Sequence, residues 1–180
     1  MKKQPKGFES YPLWMVLVYN LISLSVYFAG LYLLYLVRPW LALLFFIYIL
    51  YLEVRTYKEG CVNCYYYGKV CVAGRGKIAK LFFKKGDPKN FCKRAVSFKD
   101  FIPHLLVSII PIVAGIYLLI MDFRWFILVL TVWPVIVWFA GNPIIYGELA
   151  CPNCKQCQIC CPVAQYFIKK EKDKKQRKTI

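Results

Sequence analysis

"LWMVLVYNLISLSVYFAGLYLLYLV", residues 13–37, is a run of 25 residues without a charge. At 1.5 Å per residue a helix of that length exceeds the hydrocarbon thickness of a bilayer, about 30 Å. Little more than Asn20 and a few serines breaks it, and Arg38-Pro39 ends it. A second apolar stretch follows at 40–57. Its purely apolar part, Trp40 to Val54, is short for a span, so crossing relies on Tyr57 and the Pro-Trp flank as interfacial residues and on local thinning of the bilayer. A third stretch covers 101–121 and a fourth 125–146, separated by the hinge Asp122-Phe123-Arg124. Pro111, Pro134 and Pro143 fall inside these spans, where neighbouring helices can satisfy the freed carbonyls, and kinks are expected there.

Composition agrees. Of 180 residues 59% are hydrophobic and 18% aromatic, and the formal charge is +16. So apolar a chain with so few acids suits a small polytopic membrane protein, whose charges must collect outside the lipid. The expected fold is all-α: four transmembrane helices, arranged as two duplicated hairpins, under a cysteine-rich cytoplasmic cap. Residues 58–100 form a cytoplasmic cysteine loop, and 147–180 carry a cysteine motif and a basic tail. The basic N-terminus ahead of the first apolar run reads as a retained signal anchor, since that run is too long for a signal-peptide core.

Twenty-three of the 25 lysines and arginines lie before residue 13, between Arg55 and Lys99, or from Lys155 onward. Four spans put those three segments on one side, and the positive-inside rule makes that side the cytoplasm of a multi-pass cell-membrane protein with both termini inside. All nine cysteines go with them: Cys61, Cys64, Cys71 and Cys92 in the loop, Cys151, Cys154, Cys157, Cys160 and Cys161 in the tail. A reducing compartment disfavours structural disulfides, so these thiols point to metal binding or redox chemistry.

The loop reads "CVNCYYYGKVC" at 61–71 and the tail "CPNCKQCQICC" at 151–161. Both open with Cys-x-Asn-Cys and place a further cysteine seven positions on. Tyr-x-Glu precedes each knuckle ("YKEGCVNC", "YGELACPNC"), and each follows two apolar spans joined by an arginine-containing turn. The order suggests an internal duplication of helix, helix, cysteine motif; convergence on a common knuckle is the alternative. A Cys-x-x-Cys turn lets two thiolates meet one ion because turn amides support the sulfurs, and two more ligands complete the site.

The tail run Cys151-x2-Cys154-x2-Cys157-x3-Cys161-Pro162 resembles the C-x2-C-x2-C-x3-C-P motif of bacterial-type ferredoxins, over residues 151–162 only. The resemblance implies a [4Fe–4S] cluster on Cys151, Cys154 and Cys157, with Cys161 serving a second cluster or the same one. The loop departs from the motif: it lacks the middle cysteine and the proline, and Cys160 is extra. Cys92 or Cys71 can complete the tail's trio while Cys161 completes the loop's, or each set can be self-contained. The plan of four spans with cytoplasmic cysteine motifs is also similar to membrane-anchored ferredoxin-type proteins associated with periplasmic nitrate reductases.

Three chemistries fit these residues. The first is an iron–sulfur protein, an electron-transfer subunit at the membrane surface with a redox protein or larger membrane complex as partner. The second is structural zinc held by four-cysteine sites that clamp loop to tail. The third is thiol redox or metal trafficking, using the adjacent Cys160-Cys161 and the Cys-x-x-Cys pairs. No acid–base constellation or paired nucleophile supports a stand-alone enzyme. A single histidine, His104, cannot supply the axial pair of a haem b.

In 74–91, Ile78, Leu81 and Phe82 recur at helical spacing among Lys77, Lys80, Lys84 and Lys85, which reads as a short amphipathic helix in the membrane interface. Gly74-Arg75-Gly76-Lys77 lacks the spacing and preceding strand of a phosphate loop. No nucleic-acid fold is present, so the positive charge is assigned to lipid. Tyr65-Tyr66-Tyr67 reads as a packing and interfacial run, and Lys169 to Lys178 as a lipid-facing tail.

Overall fold

A computed structural model describes residues 7–93 and 98–161; the side chains of 92, 93, 98–101 and 160 lie outside that description, as do Pro162 and the basic tail. The described chain is all-helical: α1 (Leu13–Val37), α2 (Pro39–Glu59), α3 (Arg75–Phe82), α4 (Pro88–Lys93), α5 (Phe98–Met121), α6 (Trp125–Ile136), α7 (Asn142–Ile144) and α8 (Lys155–Cys160). Among the described residues four helical stretches are long and apolar enough to cross a membrane: Leu13–Val37, Pro39–Asn63, Ile102–Met121 and Trp125–Ala150.

Two boundaries differ from the sequence-based expectation. The second stretch is as long as the first, 25 residues, running Pro39–Asn63 rather than 40–57, because the helix continues past Tyr57 to Glu59 and a 3-10 turn follows it at Cys61–Asn63. Tyr27 donates its hydroxyl to Glu53 Oε1 at 3.1 Å, which gives that carboxylate a partner on α1. The fourth stretch runs to Ala150 instead of ending at 146. Two π-helical turns, Val137–Gly141 and Ile145–Ala150, flank α7 and carry the helix past Gly141, Pro143 and Gly147. The first begins three residues after Pro134, which cannot donate to the turn before it.

The chain divides into two compact units, and each is described by itself. One comprises Asn20–Thr56 and Ser97–Gly141 and holds most of the apolar helix length. Its core is Leu34, Phe45, Ile49, Leu52 and Val107, with Tyr27, Leu31, Tyr48 and Ile110 packed against it. Small residues allow the hairpins to close. Gly30 faces the Phe45 ring and Pro111, and Gly115 faces Thr131, with no space for a Cβ at either glycine.

Several polar groups among the described residues of this unit are paired inside it, a pattern that suits an apolar solvent. Trp133 donates its indole N–H to Ser25 Oγ (2.8 Å) and Trp138 to Ser108 Oγ (2.7 Å). Tyr48 donates to the Pro103 carbonyl (2.8 Å), and Thr131 to the Ile127 carbonyl of its own helix (2.7 Å). Large apolar side chains such as Leu21, Phe28, Leu43, Tyr51, Ile120 and Phe126 face outward. That inverted pattern suits lipid.

The other unit comprises Met1–Tyr19, Tyr57–Val96 and Asn142–Ile180, and holds every cysteine. Its core is Tyr11, Met15, Val16 and Tyr66, flanked by Phe8, Cys64, Tyr65, Val70, Cys71, Val72, Leu149 and Cys154.

Candidate metal centre

The two Cys-x-Asn-Cys turns fold alike. In each, the second cysteine's N–H donates to the first one's carbonyl, at 3.3 Å for both Cys64 to Cys61 and Cys154 to Cys151. In each, the asparagine amide reaches back four residues to a backbone carbonyl: Asn63 Nδ2 to Glu59 (3.2 Å) and Asn153 Nδ2 to Leu149 (3.1 Å). These carbonyls belong to the last turns of helical segments, so the amide ends the helix and starts the knuckle in one contact. In each, the N–H two residues past the second cysteine supports that cysteine's sulfur, from Tyr66 to Cys64 and from Gln156 to Cys154.

The tail closes on itself. Cys157 lies within hydrogen-bonding reach of Cys151, Cys154 and Cys161. α8 starts directly after Cys154, which places Cys157 one turn in and Cys161 at the C-cap. The Cys157 thiol, with the N–H groups of Cys157 and Gln156, draws the Cys154 pKa down to about 7 against the opposing effect of burial. Cys157 itself is pushed up, first by Cys151, then by Cys154 and Cys161, and then by burial.

Burial pushes the Cys64 thiol up to about 12, against the Tyr66 N–H, and the thiols of Cys154, Cys71 and Cys61 add to the rise. The loop between Cys64 and Cys71 turns at Gly68 (φ 78°), and the chain turns again after Cys71 at Gly74 (φ 71°), both in the left-handed conformation that other residues avoid. Cys161 lies with the tail's run, within hydrogen-bonding reach of Cys157. Cys92 and Cys160 have side chains outside the described residues. His104 belongs to the other unit.

Tyrosines and one glutamine lock the two knuckles together. Tyr65 donates its backbone N–H to Gln156 Oε1 (2.7 Å), and Gln156 is buried. The Tyr66 hydroxyl accepts from the Lys155 N–H (3.1 Å) and donates to the Phe8 carbonyl (2.7 Å). Tyr11 donates to the Ala150 carbonyl (2.7 Å), while its own N–H donates to Val70 (3.0 Å). Burial raises the pKa of Tyr11 and takes Tyr66 up to about 12, so both remain donors at neutral pH. Phe8 adds a parallel bridge to Cys154, its N–H donating to Asn153 at 2.9 Å. Outside this layer the Glu9 carboxylate takes Lys69 (3.0 Å), Lys155 and the Tyr65 hydroxyl (2.7 Å).

Sequence reading missed this lock. Tyr65-Tyr66-Tyr67 is more than an interfacial run: each tyrosine makes a specific bond, Tyr67 donating to the Phe83 carbonyl at 2.7 Å. Residues 7–11 and Gln156 drew no attention. The available signal was a tyrosine triplet directly after a Cys-x-x-Cys, where an apolar ring with a polar tip can pack beside buried thiols and still reach a carbonyl.

Among the described residues no group of three or more His, Cys, Asp or Glu side chains is placed to hold a metal ion as it stands. The thiols lean on one another. Their chemistry suits a thiophilic ion: the donors are all sulfur, two turns present them, and backbone N–H groups aim at the sulfurs. Comparison with family models, curated proteins and solved structures finds no significant match.

Proposed function

We propose that this chain is an integral membrane iron–sulfur protein, an electron-transfer subunit whose clusters lie at the cytoplasmic membrane surface. Cys151, Cys154, Cys157 and Cys161 are the ligands of one centre; Cys61, Cys64 and Cys71, with Cys92 as the fourth, are those of a second. The observation that carries this reading is the gathering of Cys151, Cys154 and Cys161 about Cys157, in a run spaced like a ferredoxin motif. The packing of Cys64 and Cys154 against the same core supports two neighbouring centres, which suits passage of an electron from one to the other. A bound cluster supplies a one-electron couple. The chain's part is to present thiolates, shield them with Tyr11 and Tyr66, and tune them through the N–H groups of Tyr66 and Gln156, since donors to sulfur favour the more negative state.

Structural zinc is the second reading, and one observation favours it. In a tetrahedral four-thiolate zinc site the sulfurs stand about 3.8 Å apart, given Zn–S bonds of about 2.3 Å. Thiols within hydrogen-bonding reach of one another match that compact set better than a cubane, which seats each thiolate on a different iron.

The matched bonds of the two knuckles, and Gly30 and Gly115 placed eight and nine residues before the turn arginines Arg38 and Arg124, support an origin by duplication of a hairpin-plus-knuckle unit. The positive-inside distribution supports a multi-pass cell-membrane protein with both termini cytoplasmic; an electron-transfer subunit there would have a redox protein or larger complex as partner. Anaerobic purification with absorption spectroscopy and iron, sulfide and zinc analysis tests the metal. Brown protein with stoichiometric iron and sulfide upholds the first reading. Colourless protein carrying one or two zinc ions replaces it with the second, and metal-free protein with reversible disulfides replaces both with thiol exchange.

A further inference from the structure

Helix α3 packs by its small residues and turns its large ones away. Gly76 and Ala79, three apart, are its buried positions, and at Gly76 a Cβ would run into the backbone carbonyls of Tyr66 and Lys69. The N–H of Gly68 donates to the Gly76 carbonyl at 2.9 Å, and the N–H of Phe83 donates to the Ala79 carbonyl at 2.9 Å, closing the helix. Phe83 stacks on Tyr57, with ring centroids 6.1 Å apart, and its carbonyl takes the Tyr67 hydroxyl. The helix is thus held along one side and at its C-terminal end.

At 100° per residue the opposite side carries Leu81, Ile78 and Phe82 as one continuous arc. Leu81 is 79% exposed, Phe82 74% and Ile78 41%. Lys77 and Lys80 border the arc on one flank, and Lys84 and Lys85 follow the helix, all four exposed. A face meant for a protein core would not ring itself with four ammonium groups, whereas a lipid headgroup layer accepts both parts: acyl chains take the apolar arc and phosphates take the lysines, whose stems can lie along the apolar surface.

We infer that α3 is an anchor for anionic phospholipid, inserting Leu81, Phe82 and Ile78 among the acyl chains while Lys77, Lys80, Lys84 and Lys85 hold headgroup phosphates. It requires no particular metal on the cysteines. Its rigid seat means that the face is already formed before lipid arrives, so little ordering entropy opposes binding.

The test places p-benzoylphenylalanine at position 82 of the full-length protein, where the exposed ring tolerates it. The protein is reconstituted in vesicles of phosphatidylcholine alone, or of phosphatidylcholine and phosphatidylglycerol in equal parts, and illuminated. Mass spectrometry then identifies the adducts. Lipid adducts are expected, enriched at least about fivefold in the anionic vesicles, since one lysine near an anionic surface contributes about that factor. The combined change Lys77→Gln, Lys80→Gln, Lys84→Gln and Lys85→Gln removes the enrichment while size-exclusion behaviour stays the same. Cross-links to a second copy of the chain, cross-links within the chain, or equal yields in the two compositions overturn the inference.

Discussion

The backbone N–H of Tyr65 donates to Oε1 of Gln156 at 2.7 Å, across 91 residues of sequence. This bond joins the residue after Cys64 to the residue two past Cys154. It therefore ties one knuckle to the other at the positions nearest both second cysteines.

Replacing Gln156 tests that tie. Gln156→Ala leaves a donor without its acceptor at a buried position and costs about 1–3 kcal/mol. Gln156→Met keeps the volume and removes the acceptor, and it is expected to recover little. Thermal unfolding of the purified protein in detergent measures both; full recovery by Met would assign the effect to packing alone.

Tyr66→Phe removes one hydroxyl that serves two partners, the Lys155 N–H and the Phe8 carbonyl. A loss of about 1–3 kcal/mol follows from burying those groups unpaired. Glu9→Gln, by contrast, weakens contacts of an exposed carboxylate with Lys69, Lys155 and the Tyr65 hydroxyl and is expected to cost at most about 1 kcal/mol. The same unfolding assay ranks the two; an equal or larger effect at Glu9 would contradict this order.

Metal content separates the two cysteine sets. Cys157→Ser and Cys161→Ser should each abolish the tail's centre and leave the loop's, since both belong to one gathering of thiols. Cys71→Ser should remove the loop's centre alone. Metal per protein after anaerobic purification reads this directly, and loss of the loop's metal on changing Cys161 would instead show a shared ligand.

Within the other unit, Gly115→Ala presses a methyl group into Thr131. Overpacking of this kind costs about 1–3 kcal/mol, and adding Thr131→Ala should return part of it by removing two of the three crowding atoms. Unfolding by sodium dodecyl sulfate from mixed micelles provides the scale. Additive losses in the double variant would show that the contact is unimportant.

The spans were legible because lipid imposes a one-dimensional rule, an unbroken apolar length, and 13–37 obeys it at both ends. The knuckles were legible because Cys-x-Asn-Cys occurs twice with the same continuation. Other features left no such trace. The Tyr11 hydroxyl finds a carbonyl 139 residues away, and no local pattern encodes that pairing. For α3 the periodicity of Ile78, Leu81 and Phe82 was plain, and it was Gly76 and Ala79, unremarkable as letters, that identified the packed side. The second span's far end was harder to read, since the letters after Tyr57 do not show that the winding continues to Glu59 and a 3-10 turn follows.

The π-helical turn at Ile145–Ala150 sets how the tail leaves the last helix. Such a turn takes up one residue more than an α-turn, so everything beyond it is rotated by roughly 100° relative to an uninterrupted helix. Cys151 follows immediately. Deleting a single residue from this stretch would restore ordinary winding and swing the sulfur-bearing run around the helix axis, away from Tyr66 and Cys64. The aim of the entire cysteine segment thus depends on a phase offset of one residue, which makes the chain's length here matter more than its letters.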